Sequence, residues 1–334
     1  SILEKANGTD ADMIIAVTRN DEINMLICQI AYTAFNIPKK IARIRSQNYL
    51  DPKFSKLYNK ENLPIDVIIS PELEIAKSIH RKLESPGALD NVPFADNKIK
   101  LLEILIEESC PIADIKLNEL TKKFPKLNAN ILGVIRDEKF IFLKKNDVMK
   151  KSDKAYVIIN SSQMTETLKS FGHNEKISNK ILIIGGGNVG FNLAKNIEQS
   201  FEDARIKIIE KDKNRAEFIA NELNNTIVIN GNGLDEDILS EVNLEDVETV
   251  LALTNDDEDN LMVSVIVEKF SKDKRTMALI NKPNYSLLKS SLKIDDLIDP
   301  RLTTVSSILK HVHKGTIENA YSILNGEYEV IEAE

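Results

Sequence analysis

The stretch Ile181-Leu182-Ile183-Ile184-Gly185-Gly186-Gly187-Asn188-Val189-Gly190 decides the fold: an apolar run, a glycine turn, then the start of a helix over Phe191–Ser200. Short apolar runs suit strands buried on both faces. Glycines ordered Gly-x-Gly-x-x-Gly between such a strand and a helix have a definite physical use. Gly185 permits the tight turn, Gly187 lets a pyrophosphate approach the backbone, and Gly190 lets the helix pack against the strand. The helix N-terminus then faces the anion with its partial positive charge. A second strand, Arg205–Ile209, ends in Glu210, 20 residues beyond Gly190. A carboxylate there accepts both ribose hydroxyls and repels a 2′-phosphate. Alone, the glycines describe a turn. With strand, helix and acid at these spacings they point to a bound nucleotide.

An internal repeat organises the rest of the chain. Ile2-Leu3 aligns with Ile238-Leu239, an offset of 236 residues. At that offset Ala16, Thr18, Asp21, Glu22, Asn24 and Ile30 match Ala252, Thr254, Asp257, Glu258, Asn260 and Ile266, and Asn48-Tyr49 match Asn284-Tyr285. Asp66–Leu73 then resembles Asp295–Leu302 at an offset of 229, after a seven-residue deletion. Each repeat reads strand, turn, helix, strand, helix, strand, helix. The first strands are Met13–Val17 and Val250–Leu253, followed by helices to about Phe35 and Phe270. Strands Ile41–Ile44 and Met277–Ile280 come next, then short helices and strands ending at Ile69 and Ile298. Long amphipathic helices over Pro71–Leu83 and Arg301–Lys314 close each repeat. Strands alternating with helices imply parallel, doubly wound sheets.

Between the repeats, Leu101–Ile106, Asn130–Ile135, Phe140–Leu143 and Ala155–Ile159 show strand alternation around one amphipathic helix, Leu117–Phe124. That is a small α+β module. Ser161–Ser178 reads as a polar linker helix and loop. The expected fold is therefore α/β: tandem Rossmann-like doubly wound parallel sheets separated by a small α+β domain. The expected boundaries are 1–95, 96–160, 161–178, 179–325 and 326–334. The chain starts in a helical pattern without Met and ends in the strand-like Tyr328–Glu332, so both ends read as cut.

Composition narrows the function. With 334 residues, 42% hydrophobic and 29% charged, the chain suits packed soluble globules. Its net charge is −8, aromatics are 5%, and Trp is absent. Such a surface, with no basic cluster, repels phosphate backbones and anionic lipid and lacks stacking platforms, which argues against a nucleic-acid partner. Cys28 and Cys110 form neither a disulfide framework nor a zinc set, which fits a reducing cytoplasm. No apolar run approaches the ~18 residues of a spanning helix.

Other candidates carry a plainer reading beside the functional one. Asn230-Gly231-Asn232-Gly233 follows the strand Thr226–Ile229 on the ligand-binding edge, and is also a simple turn. Thr18 and Thr254 end equivalent strands on that edge, where helix capping is the plain role. Arg43 and Arg45 could meet phosphates, or simply be a solvated strand end. His80, His173, His311 and His313 are scattered and read as packing or surface residues. Cys28 faces Ser264 in the repeat and reads as small-residue packing. No catalytic triad, carboxylate pair or metal spacing emerges, which suggests a ligand sensor.

The domain order resembles the Trk potassium-uptake regulatory family (TrkA), built from tandem RCK N-domains and RCK C-domains. The motifs that carry the resemblance are Ala11–Thr18 with Asp21-Glu22-x-Asn24, Ile37–Arg45, Gly185–Gly190, and Ile209-Glu210-Lys211-Asp212 with Arg215. The resemblance implies a cytoplasmic subunit, peripheral at the inner face of the plasma membrane, forming a homo-oligomeric ring beneath a membrane-embedded Trk-type potassium transporter. It implies NAD(H), and also ATP or ADP, as ligands that change the ring's shape. Carried over by position, the second repeat's site comprises Gly185, Gly186, Gly187, Asn188, Val189, Gly190, Glu210, Lys211, Asn232 and Thr254, and the first repeat keeps Thr18 and Arg43. Asn232 stands where the family usually has Asp, which puts a carboxylate role there in doubt. The first repeat's glycine loop and acid fall before residue 1, so its site is incomplete. Leu279 stands opposite Arg43, so the second site is expected to favour a dinucleotide over a triphosphate. The alternatives are an NAD-dependent dehydrogenase, for which the 99–160 module offers no obvious acid–base residue, and the gating ring of another potassium channel or antiporter.

Overall fold

The computed structural model describes residues 2–270, 274–288, 291–292, 294–309, 311–312 and 317–333. After α1 (Ile2–Lys5), the first repeat forms a parallel sheet in the order β1 (Met13–Ala16), β2 (Lys39–Arg43), β3 (Val67–Ile69). Helices α2 (Asp21–Phe35), α3 (Gln47–Leu50) and α4 (Pro71–Glu84) alternate with its strands. The small module is an antiparallel sheet in the order β4 (Asp90–Phe94), β5 (Ile99–Leu105), β8 (Lys154–Asn160), β6 (Ala129–Arg136), β7 (Lys139–Phe142). It carries α5 (Leu117–Lys123) and α6 (Met164–Ser170). The strand Asp90–Phe94 carries Pro93 and sits at the sheet's edge, where the missing N–H costs no ladder bond.

The second repeat supplies half of a larger sheet, ordered β11 (Ile227–Asn230), β10 (Arg205–Glu210), β9 (Lys180–Ile184), β12 (Thr249–Ala252), β13 (Arg275–Leu279), β14 (Asp296–Ile298). All its pairings are parallel. The strand order reverses beside β9, which places a crevice at the carboxyl ends of β9, β10 and β12. Helices α7 (Asn188–Ser200), α8 (Lys213–Glu222), α9 (Glu236–Glu241), α10 (Asp257–Phe270) and α11 (Pro300–Leu309) complete the unit. A hairpin, β15 (Ile317–Ile323) and β16 (Tyr328–Ala333), follows. The helix expected to reach Lys314 ends at Leu309 and passes into a turn at His311–Val312, while Lys310, His313 and Lys314 lie outside the described residues. Among the described residues no helix is long and apolar enough to cross a membrane.

The repeat is visible bond by bond. Asn24 Oδ1 accepts from the Thr18 amide and hydroxyl at 2.8 and 2.7 Å, and Asn260 does the same for Thr254 at 2.9 and 2.7 Å. Their Nδ2 groups donate across to the carbonyls of Arg43 and Leu279. Asp21 accepts from the amides of Arg45 and Ser46, and Asp257 from those of Asn281 and Lys282. These clasps tie each helix start to the ends of two strands and satisfy buried polar groups. Cys28 is buried against Ile41, which raises its thiol pKa to about 11; its counterpart Ser264 bonds the Asn260 carbonyl. Both are packing residues.

The repeats interlock. Ile75, Ala76, Ile79 and Leu83 of α4 leave their own sheet and enter the core formed by Ile181, Ile183, Leu193, Ala194, Ile197 and Leu251. Arg275 Nη1 donates to the Lys82 carbonyl at 3.1 Å, and the equivalent Lys39 Nζ donates to the His311 carbonyl. The stretch expected to be a linker is also seated: Leu168 and Phe171 pack into the module core with Leu102, Ile104 and Val157. Replacing Ile79, fully buried in the other repeat's core, by Ala is expected to cost about 2–5 kcal/mol. Urea unfolding followed by far-UV circular dichroism reads that cost, and hydrogen exchange at 181–184 is expected to quicken with it.

Candidate functional site

The crevice beside β9 has a volume of about 310 Å³ and is lined by Gly185, Gly187, Glu210, Lys211, Arg215, Asn232, Thr254, Asn255 and Asp259. Its floor is the glycine loop. Gly185 has φ +105°, and a β-carbon there would lie 2.8 Å from the Leu253 carbonyl oxygen, so both conformation and space require glycine. A β-carbon on residue 190 would lie 2.1 Å from the Gly185 carbonyl oxygen. That contact brings α7 directly onto the end of β9. Gly187 differs: a β-carbon there meets nothing within 4 Å. The space it would fill is the crevice itself.

Gly187 is also the N-cap of α7 and has no side chain with which to cap it. Phe191 N–H to the Gly187 carbonyl, 2.9 Å, is the first bond of the helix, so the amides of Asn188, Val189 and Gly190 precede it. Helix termini of this kind accept anions. Facing them, Glu210 Oε2 accepts from the Gly186 N–H at 2.7 Å and Oε1 from the Asp212 N–H at 2.8 Å. A carboxylate has about four lone-pair sites, so these bonds orient the acid and leave acceptor capacity for a diol. Arg215 Nε donates to the Gly186 carbonyl at 2.8 Å, and its guanidinium lies 4.9 and 5.4 Å from the rings of Phe218 and Phe191. Burial lowers the guanidinium pKa while Glu210 opposes that shift. An open anion cradle and an oriented carboxylate, in a crevice whose apolar lining is Ile184, Ile209, Leu234, Leu253 and Val263, fit a dinucleotide's diphosphate and ribose.

The residues expected from sequence divide into groups. Gly185, Gly187, Glu210, Lys211, Asn232 and Thr254 line the crevice. Gly186 is pressed on Ile219 of α8, Val189 packs in the core, and Gly190 lies under the loop, so these offer backbone alone. Asn188 turns toward Arg215 and the Arg45 carbonyl. Asn232 Oδ1 accepts from Leu234 N–H, a turn contact, and the Thr254 hydroxyl is held by Asn260. Thr18 and Arg43 sit on the first sheet's carboxyl edge, where Arg43 Nη2 donates to the Thr18 carbonyl at 2.7 Å. Leu279, opposite Arg43 in the repeat, is core.

Arg215, Asn255 and Asp259 were not singled out as site residues by the sequence. The signal for Arg215 was its place three residues after Asp212, whose carboxylate accepts the Arg215 N–H at 2.7 Å and caps α8. His80 packs against Phe201 with ring centroids 5.3 Å apart, and burial lowers its pKa. Among the described residues no cluster of His, Cys, Asp or Glu could hold a metal.

Comparison with known proteins gives a consistent match. The TrkA-N domain family matches residues 1–71 and 181–300, and the TrkA-C domain family matches 101–172. The Trk system potassium uptake protein TrkA of Azorhizobium caulinodans is 39% identical over 333 residues, covering 100% of this chain and 72% of that protein. That of Vibrio alginolyticus is 35% identical over 332 residues, covering 99% and 71%. Among solved structures, the GsuK RCK domain aligns with TM-score 0.62 at 16% identity, over 91% of this chain and 62% of that one. The GsuK channel bound to NAD aligns with TM-score 0.61 at 16% identity, over 90% and 50%. At such identities the structural likeness speaks for the fold.

The two glycines that flank the loop should respond differently to a methyl group. Gly187→Ala is expected to change stability by less than about 1 kcal/mol while weakening diphosphate ligands at least tenfold, roughly the cost of blocking one close contact. Gly190→Ala is expected to destabilise by about 1–3 kcal/mol through overpacking. Thermal melts and titration calorimetry of both variants separate these effects.

Proposed function

The chain belongs to the TrkA family of Trk system potassium uptake proteins, and from that premise we propose that it is a nucleotide-sensing regulatory subunit of a Trk-type potassium uptake system. It binds NAD(H) in the crevice of the second repeat, and ATP or ADP are further candidates for the same edge. The observation that carries this reading is the uncapped start of α7 opening on free space at Gly187, with Glu210 oriented beside it. In this reading the diphosphate rests on the α7 amides and the ribose hydroxyls donate to Glu210. Leu279, which offers no cation where the first repeat has Arg43, supports a dinucleotide over a triphosphate.

The role is regulatory rather than catalytic. The partner is a membrane-embedded potassium transporter, met at the inner face of the membrane by a ring of these subunits. A ligand shifts such an assembly only by binding its states unequally. Helix α7 supplies a route for that inequality: its first turn borders the crevice and its buried face packs against α4 of the other repeat. A change in loop position on ligand binding is then felt by the first repeat.

Titration calorimetry of NADH, NAD, NADPH, ATP and ADP tests this reading. NADH is expected to bind more tightly than NADPH, and Glu210→Ala to weaken NADH about ten- to hundredfold, the worth of a charge-assisted hydrogen bond or two. Absence of nucleotide binding, or binding indifferent to Glu210, contradicts it.

A further inference from the structure

We propose that Arg215 is a positioning residue of this crevice: it fixes the Gly186–Gly187 peptide so that the Gly187 N–H is presented to a diphosphate. The proposal rests on the dinucleotide reading above and names the device that prepares the site.

Gly186 is gripped at both of its polar groups, by the last residue of β10 and by the helix that follows it. Its N–H donates to Glu210 Oε2 at 2.7 Å, and its carbonyl accepts from Arg215 Nε at 2.8 Å. On its third side, a β-carbon would meet Ile219 Cδ1 at 2.4 Å, so the residue is pressed against α8. In a trans peptide the C=O and the N–H point in opposite directions. Holding the Gly186 carbonyl toward Arg215 Nε therefore turns the Gly187 N–H to the opposite side of that peptide, and Gly187 itself lines the crevice.

The guanidinium is itself pinned. It lies over the Phe218 and Phe191 rings, and Nη2 approaches Asn188 Oδ1 at 3.4 Å. The Arg215 amide is held by the Asp212 cap. A planar cation stacked in this way loses little rotamer freedom when it bonds the loop. Arg215 thus serves the phosphate through a backbone amide, not as a loose surface cation.

Two substitutions separate placement from charge. Glutamine sets a neutral N–H donor where the arginine Nε stands, whereas lysine has a methylene there and carries its charge further out. NADH is titrated into the wild-type chain, Arg215→Gln and Arg215→Lys, with thermal midpoints and the Gly187 amide signal in ¹H–¹⁵N spectra recorded alongside. Arg215→Gln is expected to stay within about threefold of wild type and keep the NADH-induced shift of the Gly187 signal. Arg215→Lys is expected to weaken NADH about tenfold or more, the loss of one hydrogen bond to a charged group, and to lose that shift at a similar thermal midpoint. The reverse order of affinities, equal losses in both variants, or wild-type affinity in both overturns the proposal. A wild-type chain that binds no NADH overturns the dinucleotide reading and the proposal together.

Discussion

The contact on which the rest of the structure depends is the approach of α7 to β9, where only a hydrogen can separate residue 190 from the Gly185 carbonyl. With a side chain at that point the helix would stand off the strand, and its first amides would no longer border the ends of β9, β10 and β12. The close approach fixes the helix start over the reversal in strand order. Glu210 and Arg215 then secure the loop from the neighbouring strand and helix. The crevice is thus a consequence of packing, and its chemistry follows from which backbone groups the packing leaves open.

The repeat adds a second constraint. Matched Asn–Thr and Asp–amide clasps hold both sheets' carboxyl edges in the same geometry, although only the second repeat carries a glycine loop in this chain. The closing helix of the first repeat fills the core of the second. Packed interiors do not deform continuously, so movement of α7 and movement of α4 are bound together. In the function proposed above, that linkage is where ligand energy would meet shape.

Much of this was legible in the sequence, for physical reasons. The strand at 181–184 is apolar on both faces because helices cover it, and its glycines have spacings that few other structures require. The repeat kept its register, so the strands of one copy located those of the other within a residue or two, whereas the closing helix of the second copy stops at Leu309. What the sequence hid was tertiary. The apolar stripe of α4, with Ile75, Ile79 and Leu83, predicts burial but not which sheet receives it. Leu168 and Phe171 lie in a polar stretch, and nothing local says that they reach the module core. Thr254 sat at the right strand end for a ligand, yet its hydroxyl is held by Asn260 six residues on. Arg215 stood in the motif that carries the family resemblance but had no role attached to it, because its value lies in a carbonyl 29 residues away.

The most direct test is the structure of the chain with NADH bound. The account predicts the diphosphate within about 3 Å of amides among those at 187–190, with both ribose hydroxyls of the adenosine half on Glu210. A diphosphate held elsewhere, or Glu210 turned out to solvent with the ribose unpaired, would contradict it.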